Sequence, residues 1–251
     1  MHVYEPRSFT KEKEQILRET AGPSKCIQNF LTQTEFDLCR RLFDTNIAWP
    51  EHGQVSKYWG FDWNAGYGPL LQWIQPKIDQ LFPGWELDFL AMQEGITPWK
   101  VHADIRWYEN KIPYKVMLMP IDVIPIAGPV EFDQWPDTFT IAFNQRNFLS
   151  TWQEHATATT GNLQEGWIRP ADNPQIERLV PGFNVTNDQW LEYFDHMPYE
   201  HLEGLTIDAI HKWTPGSLMY WDNTTVHCAD NFLGRGIKTK RSLMVFSTIK
   251  H

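Results

Sequence analysis

The sequence is short of cysteine, of positive charge and of long apolar runs, and each shortage closes off a class of protein. Its three cysteines, Cys26, Cys39 and Cys228, form no C-x-x-C pair, which argues against a disulfide framework or a zinc ribbon and points to a reducing compartment. Acidic side chains outnumber basic ones 31 to 22, for a formal net charge of −9. That balance counts against nucleic acid and anionic lipid as partners, because both require a basic face. No stretch reaches the roughly 18 consecutive apolar residues of a membrane span, and MHVYEPRSFTKEKEQILRET has no apolar centre of a signal peptide. The expectation is a cytoplasmic protein without a membrane partner. Asn184-Val-Thr186 and Asn223-Thr-Thr225 match glycosylation acceptors, which mean nothing without secretion. Phosphate-binding Gly-rich loops, H-E-x-x-H and G-x-S-x-G are all missing, so the common nucleotide, zinc-protease and serine-hydrolase templates do not apply.

What is present is a change of hydrophobic period. In NFLTQTEFDLCRRLFD, Thr32 is placed to cap a helix and Glu35 to reach back to it, with Phe36, Cys39, Leu42 and Phe43 on one face. GPLLQWIQPKIDQLFPG repeats the helical spacing with Leu70, Leu71, Ile74, Ile78, Leu81 and Phe82; Pro69 suits its start and Pro76 predicts a kink or break. From Trp85 the period shifts towards two. WELDFLAM, WKVHADIRW, YKVMLMPI, TFTIAF, SLMYW and RSLMVFSTI read as strands, while Pro125, Pro129 and Pro136 make Asp122 to Pro136 a corner. NDQWLEYF and the segment after Pro198 read as helical interruptions. Short strands with turn signals predict a mainly β sandwich or jelly roll. Residues 1–84 form an N-terminal helical layer packed on a core of residues 85–251, one structural domain in all.

Three features carry chemistry. In an extended strand His102 and Asp104 share a face, so two metal ligands are presented together. In PGSLMYWDNTTVHCADN a Pro-Gly turn leads into an apolar strand and a polar turn, after which His227 is placed to supply a third ligand. Two histidines and one carboxylate form the facial triad of non-haem iron(II) oxygenases, which leaves coordination positions open. Arg241, fourteen residues beyond His227, has the planar fork that grips a carboxylate. Alternation puts Arg241, Leu243 and Val245 on one strand face and Lys240, Ser242 and Met244 on the other. A shift of one residue therefore favours Lys240 and brings Ser242 into the site. Lys115, on the following strand, is a further candidate for the same carboxylate.

The order His-x-Asp, Pro-Gly strand with distal His, then a basic residue on the last strand resembles the 2-oxoglutarate/iron(II)-dependent dioxygenase superfamily from about Trp85 to His251. The helix NFLTQTEFDLCRRLF looks like the one leading into the fold in prolyl-hydroxylase-like members. The resemblance implies a double-stranded β-helix, a cupin-like jelly roll with iron near one mouth. It implies that His102, Asp104 and His227 bind iron(II), that Arg241 pairs with the distal carboxylate of 2-oxoglutarate, and that dioxygen is consumed with release of succinate and carbon dioxide. Because Asp104 is present where related halogenases carry a small residue, hydroxylation is the expected outcome. Trp99, Trp107, Trp221, Tyr108, Tyr114 and Tyr220 flank the site as candidates for lining a substrate pocket or hydrogen bonding 2-oxoglutarate. Cys228 should point away from the metal and pack. The stretch from Asp122 to Pro215, with Trp135, Trp152 and Trp167, exceeds a minimal barrel and is expected to shape a lid or substrate pocket. His201-x-Glu203 is a rival ligand pair in a turn-like setting, and His52, His155, His196 and His211 have no ligand spacing. The competing reading is a cupin-like barrel that binds metal or a small ligand without turning over 2-oxoglutarate.

Overall fold

The computed structural model describes residues 9–45, 51–52, 56–60, 68–104, 110–148, 171 and 176–250. Among the described residues, three long helices, α1 (Lys11–Glu19), α2 (Gln33–Thr45) and α3 (Gly68–Leu81), and short helical stretches at Asn187–Gln189, Trp190–Phe194 and Tyr199–Leu202 accompany eleven strands: β1 (Lys25–Ile27), β2 (Glu51–His52), β3 (Ser56–Gly60), β4 (Trp85–Gly95), β5 (Lys111–Pro125), β6 (Phe139–Asn147), β7 (Ile176–Glu177), β8 (Ile207–Lys212), β9 (Leu218–Asp222), β10 (Thr225–Ala229) and β11 (Ile237–Lys250). They form a seven-stranded sheet in the order β1-β9-β5-β11-β4-β3-β2 and a smaller sheet in which β10, β7 and β8 all pair with β6. Every pairing is antiparallel. This is the jelly roll of a double-stranded β-helix.

Alternation divides each central strand between two cores. On β11, Leu243 and Val245 join Leu90, Met92, Met117, Met119 and Leu218 against Phe36, Cys39 and Phe43 of α2 and Ile74 and Ile78 of α3. Met244 and Phe246 turn the other way, towards Val116, Leu118, Met219 and Trp221 in the space between the sheets. The small sheet is backed on its far side by Val185, Phe194, Met197, Leu202 and Leu205, which pack on Ile141, Phe143, Val226 and Cys228. Both faces of the large sheet are therefore dry, which explains its nearly continuous apolar runs.

The expected capping box starts α2: the Glu35 amide donates to Thr32 Oγ1 at 3.3 Å and the Thr32 amide donates to Glu35 Oε2 at 2.6 Å. Four expectations need correction. On α3, which contains Pro76, the expected apolar face loses Leu81, which is exposed at the helix end while Phe82 is buried. The segment before Trp85 is not purely helical, because β1, β2 and β3 extend the large sheet at its edges; runs of two to five residues are too short to show a period. The strand β5 runs to Pro125, beyond the predicted corner, paired along its length with β11. Finally, the described part of WKVHADIRW, residues 99–104, is not a strand: His102 makes one isolated bridge, to His227, and residues 105–107 lie outside the described residues.

Ile74 and Ile78 are fully buried between α3 and the large sheet. Replacing either by Ala should lower stability by about 2–5 kcal/mol, and Thr32→Ala by about 1 kcal/mol, read from urea unfolding midpoints.

Candidate metal centre

The bridge between His102 and His227 consists of two exchanged backbone hydrogen bonds, of 2.9 and 2.8 Å. It brings the extended segment before residue 105 alongside β10. On β10, Val226 and Cys228 enter the apolar layer behind the small sheet, so His227 faces the inter-sheet space, where its ring meets Trp221 at a centroid distance of 4.7 Å. The His102 and His227 rings lie 4.3 Å apart, and Asp104 completes the group. One nitrogen or oxygen from each of the three falls within 4.8 Å of the others. Asp104 Oδ2 is 3.2 Å from His227 Nε2, and Oδ1 is 3.7 Å from His102 Nε2. Asp104 and His227 are buried and His102 is nearly so.

The tautomers follow from the backbone. His102 Nδ1 lies 2.7 Å from the Lys100 carbonyl and His227 Nδ1 lies 2.9 Å from the Thr225 carbonyl. A carbonyl oxygen accepts, so each Nδ1 carries the proton and donates. In the neutral rings both Nε2 lone pairs then converge on a carboxylate. Three electron-rich donors held together in a buried group could hold a cation, and the set of two imidazoles and one carboxylate fits iron(II) in donor type and number.

The other expected residues are placed as follows. Arg241 lies on the helix-facing side of β11, donating from Nε to Glu94 Oε2 at 2.8 Å and from Nη1 to Asp44 Oδ1 at 3.0 Å, so its guanidinium is turned away from the triad. Tyr114 also faces the helices, edge-on to Phe82 at 6.0 Å, because an irregularity in the β5–β11 register between Phe246 and Thr248 moves it there. Ser242 is buried on the inner face of β11, beside Gln93. Lys240 shares that face. Its ammonium donates to the Phe139 carbonyl at 3.0 Å, lies 3.4 Å from Asp230 Oδ1 and sits 4.0 Å from the Trp213 ring centroid. Burial pushes Lys240 down to about 8, with Asp230 opposing. Lys115 is paired with Asp222. Cys228 is on the outer face, where burial pushes its thiol up. His201 lies in a 3-10 turn and His211 meets Ser24 Oγ at 3.0 Å. Trp107, Tyr108, Trp152, Trp167 and His155 lie outside the described residues.

Asp230 was missed by the reading of the sequence. Asp230 is fully buried, with Arg235 Nε 3.0 Å from its Oδ2 and Thr138 Oγ1 donating to its Oδ1. The signal was a buried lysine in need of a counter-charge, which appears once the strand faces are known.

No family model matches the sequence, and no curated protein matches it. Solved structures do. The epimerase SnoN, in complex with Fe3+, alpha ketoglutarate and nogalamycin RO, aligns with a TM-score of 0.50 at 12% identity, over 94% of this chain and 83% of its own. A second structure of SnoN, a non-heme alpha ketoglutarate dependent epimerase from nogalamycin biosynthesis, gives 0.50 at 11% identity over 94% and 82%. HygX from Streptomyces hygroscopicus, with nickel and 2-oxoglutarate bound, gives 0.49 at 10% identity over 97% and 88%. The chain shares the fold of the SnoN structures, a double-stranded β-helix. In that fold, this chain's converging group is His102, Asp104 and His227.

Replacing His102 or His227 by Ala should weaken iron(II) binding by more than about 100-fold, the upper end of the cost of losing an outer-shell partner, measured by anaerobic equilibrium dialysis. Arg241→Ala should leave metal affinity unchanged and lower stability by about 1–3 kcal/mol through the hydrogen bonds to Glu94 and Asp44.

Proposed function

We propose that the chain is a 2-oxoglutarate- and iron(II)-dependent dioxygenase that hydroxylates a small-molecule or side-chain substrate. The observation that carries this reading is the convergence of two tautomer-fixed imidazoles and the Asp104 carboxylate inside the jelly roll. When bound, iron(II) with 2-oxoglutarate and dioxygen supplies oxidising power, and the cosubstrate leaves as succinate and carbon dioxide.

The protein's own part is to bind, orient and keep dry. The carbonyls of Lys100 and Thr225 hold the imidazoles in the ligating tautomer. Lys240, rather than Arg241, is assigned to the distal carboxylate of 2-oxoglutarate, with Ser242 two residues on as a second donor on the same strand face. Charge supports the assignment. Asp230 and Arg235 cancel, so Lys240 contributes one positive charge; with two from iron, one negative from Asp104 and two from 2-oxoglutarate, the assembled site is neutral, which lowers the cost of burying it. A cupin-like metal-binding barrel has no use for such a lysine on the inner face. Among the described residues no helix is long and apolar enough to cross a membrane, and the three cysteines are free, which supports a cytoplasmic setting.

Anaerobic protein should develop a visible charge-transfer band when iron(II) and 2-oxoglutarate are both added, and His102→Ala and Asp104→Ala should abolish it. A folded, iron-binding protein without the band would instead be the metal-binding barrel. Lys240→Ala should weaken 2-oxoglutarate binding at least about tenfold, whereas Arg241→Ala should not change it. Lys240 grips a carboxylate only as an ammonium. Its value near 8 therefore predicts that cosubstrate affinity falls as pH rises through about 8, and Lys240→Arg should remove that fall.

A further inference from the structure

The loop that follows His227 builds a buried charged cluster with β11. Asp230 stands three residues after His227 and is fully buried, and Lys240 is 4% exposed. The Lys240 ammonium has three N–H bonds to satisfy. One donates to the Phe139 carbonyl at 3.0 Å, while Asp230 Oδ1 is more distant at 3.4 Å. The ring of Trp213 lies 4.0 Å from the nitrogen. A buried ammonium with one close oxygen acceptor has capacity for another.

Asp230 is kept from closing on Lys240. Thr138 Oγ1 donates to the same Oδ1 at 2.7 Å, and Arg235 Nε pairs with Oδ2 at 3.0 Å. Arg235 is itself fixed, because it donates to the Glu192 carbonyl and lies over the rings of Phe139 and Tyr193, 5.1 and 5.5 Å from their centroids. The cluster is within reach of the metal group. His227 is opposite Ala142 in the pairing of β10 with β6, and Phe139 is three residues along β6 from Ala142. That is about 10 Å at the rise of a strand, a span that a five-carbon diacid chelating a metal beside His227 covers.

We propose that Asp230 is a positioning residue for the distal carboxylate of the cosubstrate: held back by Thr138 and Arg235, it keeps the buried Lys240 ammonium charged without capturing it, so that the ammonium stays free to take an acid group. The charges agree. Among the described residues, those acting on Lys240 are Asp230, which favours the ammonium, and Arg235, which disfavours it, with the Cys228 thiol also near. Asp230 in turn acts on Tyr193 and His196. Burial pushes Cys228 and Tyr193 up and His196 down to about 4, so all three are uncharged from about pH 6.5 to about pH 9.5. Two cations and one anion leave one positive charge for an incoming carboxylate.

The inference rests on the assignment of Lys240 to 2-oxoglutarate, and the test keeps the two apart. Anaerobic iron(II)-loaded protein is titrated with 2-oxoglutarate across that pH range, the charge-transfer band giving the Kd at each pH. In the unmutated protein affinity should fall above a break at about 8, where Lys240 loses its proton. Asp230→Asn removes the group that favours the ammonium, so the break should move down by about one pH unit or more. Arg235→Gln removes the group that disfavours it, so the break should move up, while the lost positive charge weakens binding below the break about tenfold. Opposite displacements are not what loosened packing produces. In a Lys240→Met background, Asp230→Asn should change the Kd no further, because Asp230 acts through Lys240. A break that stays in place in both variants or moves the same way in both, or an effect of Asp230→Asn that persists without Lys240, would overturn the positioning role alone. If Asp230→Asn does not fold, Arg235→Gln, whose side chain is 25% exposed, decides: an upward displacement supports the role and an unmoved break overturns it. An unmutated protein with no break, or a Lys240→Met variant that binds 2-oxoglutarate unimpaired, would overturn the Lys240 assignment and the positioning role with it.

Discussion

Two backbone hydrogen bonds exchanged between His102 and His227 hold the site together. Residues paired in this way stand about 5.5 Å apart at Cα with their side chains on the same side, so the first and third members of the triad are set by main-chain geometry rather than by their own side chains. Asp104 follows from chain direction, two residues on. Both imidazoles then use the same local device, an Nδ1–H bonded to the carbonyl two residues earlier, at Lys100 and Thr225. The bridge stays in place because Val226 and Cys228, which alternate with His227, are locked into the apolar layer behind the small sheet.

The long strand β11 is the partition on which the rest is arranged. One face closes the core under α2 and α3 and the other lines the inter-sheet space. Arg241 and Lys240 are adjacent in sequence and end up in different electrostatic worlds. Arg241 meets Glu94 and Asp44 on the helix side, partly open to water. Lys240 is buried among Trp213, Phe232 and Asp230. A lysine in such surroundings is costly without a counter-charge, which accounts for the full burial of Asp230 beside it.

Much of the fold was legible in the sequence because it rests on local rules. The Thr32–Glu35 capping box, the apolar face of α2 and the runs beginning at Trp85, Tyr114, Thr138, Ser217 and Arg241 each obey a period that needs no tertiary information. The segment carrying His102 and Asp104 obeyed the same pattern and is nonetheless irregular, since a single bridge is enough to align it. The strand β8 escaped notice because Ile207 to Lys212 earns its extended form from pairing with β6. In Tyr114 a register irregularity overrode alternation.

By itself, then, the sequence determined the residue types and their spacing: two histidines and a carboxylate in a jelly-roll order, and a basic cluster on the last strand. Alternation along that strand made Arg241 and Lys240 opposites, but it could not say which face looked inward. Only the tertiary structure decided that, because the phase of a strand is set by what packs on each side, here Leu243 and Val245 against α2 and α3. The same holds for Asp230 and for Trp213. Their surroundings are assembled from strands far apart in the chain, and no local pattern records how those strands meet.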